Sequence, residues 1–222
     1  MMLAFFSWEW VFDHLDDIWD RTMQHLLLTV IAVFFGLLIS FGLSIFVLRN
    51  RRTYTPITAF TGVLYTIPSL ALFALLVPIT GLSVLTAEIG LVSYTLLILV
   101  RNTVAGIDGV PLPVLEAAAG MGYTRRQLLW RVQLPLALPV IIAGVRIAAV
   151  TTIGLVTVTA LIGQGGLGFF ILRGLSLLFS PVGTTHIVVG VVVSVILALV
   201  VDLALVGTQR VLTPWAKSKE AV

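Results

Sequence analysis

Long apolar stretches alternate with short polar breaks along the chain, and residues 25–48, 56–79, 85–107, 137–162 and 186–207 each run to membrane-spanning length. About 20 apolar residues cross roughly 30 Å of hydrocarbon at about 1.5 Å per residue of helix. The pattern predicts an all-α integral membrane protein with about five transmembrane helices. Between the fourth and fifth stretches lies GQGGLGFFILRGLSLLFSPVGTT, residues 163–185, too broken by glycine to read as a sixth crossing. It is expected to re-enter the membrane or to lie along it. Ahead of the first stretch, Trp8, Phe12, Leu15 and Trp19 recur at helical spacing with Glu9, Asp13, Asp16, Asp17 and Asp20 largely on the other face. That spacing predicts an interfacial helix. The chain divides accordingly into an N-terminal segment over 1–22, a membrane domain over 23–208 and a tail over 209–222.

One polar break is much longer than the rest. VPLPVLEAAAGMGYTRRQLLWRVQLP, residues 110–135, carries the signals of two short helices. Pro113 suits a first helical position, where a missing N–H costs nothing, and Gly122 suits the left-handed residue that closes a helix. Thr124 with Gln127 three positions later is the capping-box pattern, and Pro135 is expected to end that second helix and turn the chain back to the membrane. Ala117, Ala118 and Ala119 give the first helix almost no side-chain bulk, so another protein's surface can approach its backbone, while Glu116 supplies one fixed charge. A plain connector is usually only a few residues long. This one is about thirty.

Composition and charge narrow the class. Hydrophobic residues make up 59% of 222 and charged residues 10%, with a mean hydropathy of +1.13, against about a quarter charged in soluble domains. Basic residues follow the first stretch (Arg49, Arg51, Arg52), the third (Arg125, Arg126, Arg131) and the fifth (Arg210, Lys217, Lys219). With five crossings all three clusters share one side, which the positive-inside rule makes cytoplasmic, leaving the acidic N-terminus outside. The net charge of +3 thus reads as topology and not as a nucleic-acid surface. There is no cysteine, and His14, His25 and His186 are scattered, so no metal centre is expected. No GxxxxGK[ST] phosphate loop is present, which excludes an ATPase. No His/Asp/Ser set falls at one depth as an enzyme requires. Glu88 and Asp202 are too few carboxylates for an ion-coupled secondary transporter, and no repeated half is visible. Among the ionisable residues inside apolar stretches, Arg101, Arg146 and Asp202 are candidates for a gate-side ion network or for structural pairing.

The pattern Glu-Ala-Ala, three residues, Gly, nine residues, an aliphatic, one residue, Leu-Pro is met by Glu116, Ala117, Ala118, Gly122, Val132, Leu134 and Pro135. It resembles the permease signature of bacterial ABC importers, with Val132 where isoleucine is commonest. YTIPSLALF from Tyr65, LVRNTVAGID from Leu99, LPLALPVIIAGVR from Leu134 and LIGQGGLG from Leu161 are similar to the osmoprotectant branch, which imports glycine betaine, choline and carnitine. The permease of methionine importers is a second resemblance, around the signature and the glycine run. The resemblance implies the ABC transmembrane type-1, MetI-like fold in the bacterial plasma membrane, with a cytoplasmic coupling helix docking into a separate ATPase subunit. It further implies two permease chains, identical or related, two ATPase chains, an external substrate-binding protein, surrounding membrane lipid, no cofactor and no catalysis by this chain. Under that resemblance Gly163, Gly165 and Gly166 form an external bend near the substrate route, the alternative being an ordinary flexible loop. Tyr65, Tyr94 and Phe73 are candidates to offer ring faces to a passing quaternary ammonium, the alternative being packing between helices or at the interface.

Overall fold

The structure, a computed structural model, describes residues 6–178 and 180–215. Lys217 and Lys219, with part of the expected tail, lie outside the described residues. The described residues are helical throughout their regular structure: α1 (Trp8–Asp13), α2 (Leu15–Arg49), α3 (Tyr54–Thr66), α4 (Ser69–Thr80), α5 (Val84–Asp108), α6 (Leu112–Gly120), α7 (Arg125–Leu128), α8 (Leu134–Val156), α9 (Gly168–Ser176) and α10 (Pro181–Leu212). Among them, α2, α5, the run Arg125–Val156 and α10 are long and apolar enough to cross a membrane.

α5 is the centre of the bundle. Its Leu91, Leu99, Val100, Val104 and Ile107 are buried, and it packs along α2 on one side and α8 on the other. With lipid outside, burial of apolar side chains offers little drive for helix association, and close backbone approach through small residues takes its place. Gly36 on α2 lies so near Thr95 that a Cβ there would come within 1.9 Å of its Oγ1, and one on Gly144 of α8 would meet Asn102 Cβ at 2.5 Å. A second core joins α2, α4, α5 and α8 through Leu28, Ala32, Phe73, Leu91 and Val156.

Three sequence expectations change. The stretch 56–79 is not a straight crossing: α3 and α4 meet at 95°. Pro68 lacks an N–H and drives the preceding Ile67 out of the helical region, to φ −63 and ψ 128, as a residue before proline prefers. If the bent pair counts as one span, the described residues hold up to five. The helix expected to stop at Pro135 continues instead. Leu129–Gln133 widens into a π turn in which the Leu134 N–H donates to the Leu129 carbonyl, five residues back. A proline ring clashes with the carbonyl four residues before it, and a π turn there loosens that spacing. Arg125–Val156 is therefore one helical run.

The third change is at the N-terminus. α2 begins at Leu15 and passes unbroken through residue 22 into the first apolar stretch. Its 35 residues extend about 50 Å, more than the hydrocarbon needs. α1 folds back instead, with the Ser7 N–H donating to Thr185 Oγ1 at 2.9 Å and Trp10 packed 4.2 Å from the His186 ring, centroid to centroid. Trp8, Phe12 and Trp19 stay exposed. Within 163–185, α9 forms a regular helix laid against α10.

Candidate functional site

The signature segment is held at one end and bare at the other. α6 starts after Pro111, with Pro113 in its first turn, and ends in a full glycine cap: the Gly122 N–H donates to the Ala119 carbonyl at 3.0 Å and the Tyr123 N–H to the Ala118 carbonyl at 3.2 Å. That two-bond pattern needs a left-handed residue. Gly122 has φ +84, as expected of it, and a Cβ there would touch nothing within 4 Å, so backbone conformation and not crowding selects glycine. Ala118 is 3% exposed and faces the rest of the molecule, whereas Glu116, Ala117 and Ala119 are exposed. α6 touches only α7 and the π turn to an appreciable extent.

The capping box then starts α7. The Gln127 N–H donates to Thr124 Oγ1 at 3.3 Å, and the Thr124 N–H donates to Gln127 Oε1 at 2.8 Å. At the far end, Leu129 and Leu134 pack on the cluster of Ile107, Ala137 and Ile141, which anchors the Leu134-Pro135 pair against the end of α5. Nearby, a two-bond pair between Arg51 and Asp108 ties the turn before α3 to the last residue of α5. The result is a rigid base carrying an exposed, low-bulk helix.

Other singled-out residues fall into separate places. Tyr65 and Tyr94 come together edge to face, with centroids 5.9 Å apart, and the Tyr94 hydroxyl donates to the Ile67 carbonyl, so the pair sits on the bend between α3 and α4. Tyr94 is 5% exposed and Tyr65 39%. Phe73 is not available as a ring face: it is 1% exposed, and its ring fills the space left by Gly90. Arg146 and Asp202 form a two-bond ion pair between α8 and α10. Arg101 is exposed and joins no ion pair among the described residues, so the three charges make one pair and not a network.

The glycine run is a tight turn, exposed at Gly163 and buried from Gly165 to Gly168. Gly163 and Gly166 have φ +78 and +43, and a Cβ on Gly165 would come within 2.2 Å of Ala160. His25, fully buried in α2, braces it: Nδ1 accepts from the Leu167 N–H at 3.4 Å, which leaves the Nε2–H to donate to the Ile153 carbonyl at 2.9 Å.

A family model described as binding-protein-dependent transport system inner membrane component matches residues 32–215. The chain belongs to this family. Relatives of this inner membrane component include the glycine betaine/carnitine/choline transport system permease protein OpuCB of Bacillus subtilis, 36% identical over 194 residues that cover 87% of this chain and 88% of the relative. The osmoprotectant import permease protein OsmW of Salmonella typhimurium is 38% identical, covering 87% and 90%. The carnitine transport permease protein OpuCB of Listeria monocytogenes is 39% identical, covering 88% of each. Among solved structures, the MetNI methionine ABC transporter in an inward-facing conformation contains a chain that superposes with a TM-score of 0.75 at 22% identity, over 93% of this chain and 99% of that one. That likeness is one of fold, and it agrees with the MetI-like architecture expected from the signature.

Two buried polar groups of this inner membrane component occupy places that local sequence does not foretell. His25 was weighed only as a metal ligand, because nothing local links residue 25 to residues 153 and 167. Glu88, on α5, is 9% exposed with neither carboxylate oxygen hydrogen-bonded among the described residues. Its sequence signal was a single acid inside an apolar stretch.

Proposed function

We propose that the chain is the membrane-spanning permease subunit of an ATP-driven importer of quaternary-ammonium osmoprotectants such as glycine betaine, carnitine or choline, and that α6 is its coupling helix. One observation carries the reading: a helix that exposes Glu116, Ala117 and Ala119, closed by a left-handed glycine, stands on a base continuous with a membrane span. Such a face fits a groove on a partner, and the partner is an ATPase subunit, since this chain has no phosphate-binding loop. Glu116 sets register there, Ala117 allows close approach, buried Ala118 seats the helix on its own base, Gly122 fixes the angle between α6 and α7, and Leu134 with Pro135 anchors the segment to the bundle. A second permease chain, identical or related, and an external substrate-binding protein complete the transporter. The substrate class is supported by the names of the relatives, all at 36–39% identity.

In this reading the arginine-rich ends and the tail over 209–222 face the cytoplasm, and the acidic segment over 1–22 faces outward. Tyr65 presents its ring face to the cationic substrate at the bend, with buried Tyr94 supporting it from behind, and the turn at Gly163, Gly165 and Gly166 shapes the outer end of the route. Arg101, Arg146 and Asp202 lie toward the gate side.

The test measures uptake and ATP hydrolysis in the same reconstituted vesicles, with choline, glycine betaine, carnitine and methionine supplied through the cognate binding protein. Gly122→Val and Glu116→Lys are expected to insert normally yet lose uptake, through lost ATPase binding or hydrolysis that ignores the loaded binding protein. Wild-type uptake in both variants excludes the coupling role, and uptake of methionine alone reassigns the substrate. A cytoplasm-only reporter active at the N-terminus, or inactive after Arg126, overturns the orientation.

A further inference from the structure

Two cavities adjoin each other, one with arginines among its apolar lining and the other with no ionisable residue in its lining. The first, ≈ 800 Å³, lies between the end of α2 and α7 and is lined by Arg49, Arg51, Arg125 and Arg126 together with apolar side chains that include Leu48 and Trp130. The second, ≈ 570 Å³, runs between α2 and α8 and is walled by Phe34, Leu38, Phe41, Trp130, Leu138 and Trp215, with no ionisable residue in its lining. Trp130 is a wall of both.

Charge separates this basic mouth from an ordinary cluster of topology arginines. Arg51 is neutralised by Asp108, but Arg49, Arg125 and Arg126 are exposed and form no ion pair among the described residues. They converge on one cavity from two elements that are distant in sequence. The groove beside them belongs to membrane depth, since Phe34, Leu38 and Phe41 lie within an apolar stretch of α2. From Arg49 back to Phe34 the helix rises about 22 Å, and one leaflet with its headgroup layer is about 20–22 Å deep. An aromatic wall at the junction is the usual place for tryptophan at a headgroup boundary.

We propose that the paired cavity binds one anionic glycerophospholipid, its phosphate between Arg49, Arg125 and Arg126 and an acyl chain along Phe34, Leu38 and Leu138. Basic pockets between helices take anionic headgroups in this way. An acidic protein partner would answer the arginines but leave the apolar groove unfilled. The site lies one turn beyond Gly122, so a bound lipid would clamp α7 to α2 beside the exposed α6.

Native mass spectrometry of the assembled transporter, released from detergent with added phosphatidylglycerol or phosphatidylethanolamine, tests this. The wild type is expected to retain phosphatidylglycerol in preference to phosphatidylethanolamine. The triple variant Arg49→Gln, Arg125→Gln, Arg126→Gln should lose that retention by on the order of a hundredfold. Leu38→Trp with Leu138→Trp fills the groove, leaves the arginines in place, and should lower retention as well, which keeps the test open if the triple variant does not assemble. Equal phosphatidylglycerol retention in wild type and groove-filled variant overturns the proposal. So does full displacement by millimolar inorganic phosphate, which marks a free-anion site, or cross-linking of Leu38 to another polypeptide, which marks a protein interface.

Discussion

The Arg146 guanidinium and the Asp202 carboxylate meet through two parallel hydrogen bonds, Nε to Oδ1 at 2.8 Å and Nη2 to Oδ2 at 3.0 Å, and so join α8 to α10 inside their apolar stretches. Removing one partner strands the other, whereas neutralising both does not. Arg146→Ala and Asp202→Ala are each expected to lower the yield of monodisperse complex, with the double variant Arg146→Gln, Asp202→Asn closer to wild type than either. Arg101→Ala should be milder, because it strands no partner among the described residues. Size-exclusion profiles measure this directly. Normal yield with an altered choice of substrate in Asp202→Ala would place the pair in the pathway instead.

At Gly122 the cap makes a graded prediction. A left-handed residue costs an ordinary side chain about 1–2 kcal/mol, asparagine less than most, and no neighbour obstructs a Cβ there. Amide exchange over α6 should therefore quicken in the order glycine, asparagine, alanine, valine. Equal protection across the series would mean that the cap does not hold α6 closed.

His25 spans three elements through its two ring nitrogens. His25→Leu leaves the buried Leu167 N–H without its acceptor, a loss of about 1–3 kcal/mol. Gly166→Ala places a Cβ within 2.7 Å of His25 Cβ at φ +43. Both should lower the melting temperature of the purified protein, and the double variant should fall short of the sum because they share one site. Strict additivity would separate the histidine from the turn.

The bend between α3 and α4 is held on one side by the Tyr94 hydroxyl. Tyr94→Phe keeps the ring contact with Tyr65 and removes only that bond. Spin labels at Phe60 and Leu75 should report a broadened distance distribution in the variant. An unchanged distribution would assign the 95° angle to Pro68 and packing alone.

What could be read from sequence was local. The Thr124–Gln127 box and the left-handed Gly122 depend on residues three or four apart, and the long spans follow from uninterrupted apolar length. Pro68 and Pro135 show where local rules ran out. Both are prolines in apolar surroundings, yet one breaks the helix at its N–H-less turn and the other is absorbed by a π turn whose flanking Leu129 and Leu134 pack on the Ile107 cluster, a tertiary contact that local sequence does not reveal. Pairings across the bundle were the hardest to foresee. Nothing in the sequence distinguishes Arg146 from Arg101 as the partner of Asp202, or ties His25 to a turn more than a hundred residues away.

The π turn also changes what the chain is mechanically. Because Arg125–Val156 is one helical run of 32 residues, about 48 Å end to end, its two ends are joined by continuous helix and not by a slack connector. Pivoting such a run by about 10° at its midpoint swings each tip by about 4 Å, in opposite senses. The same helix that begins at Arg125 thus carries at its far end the Ile153 carbonyl, which accepts from His25 beside the glycine turn.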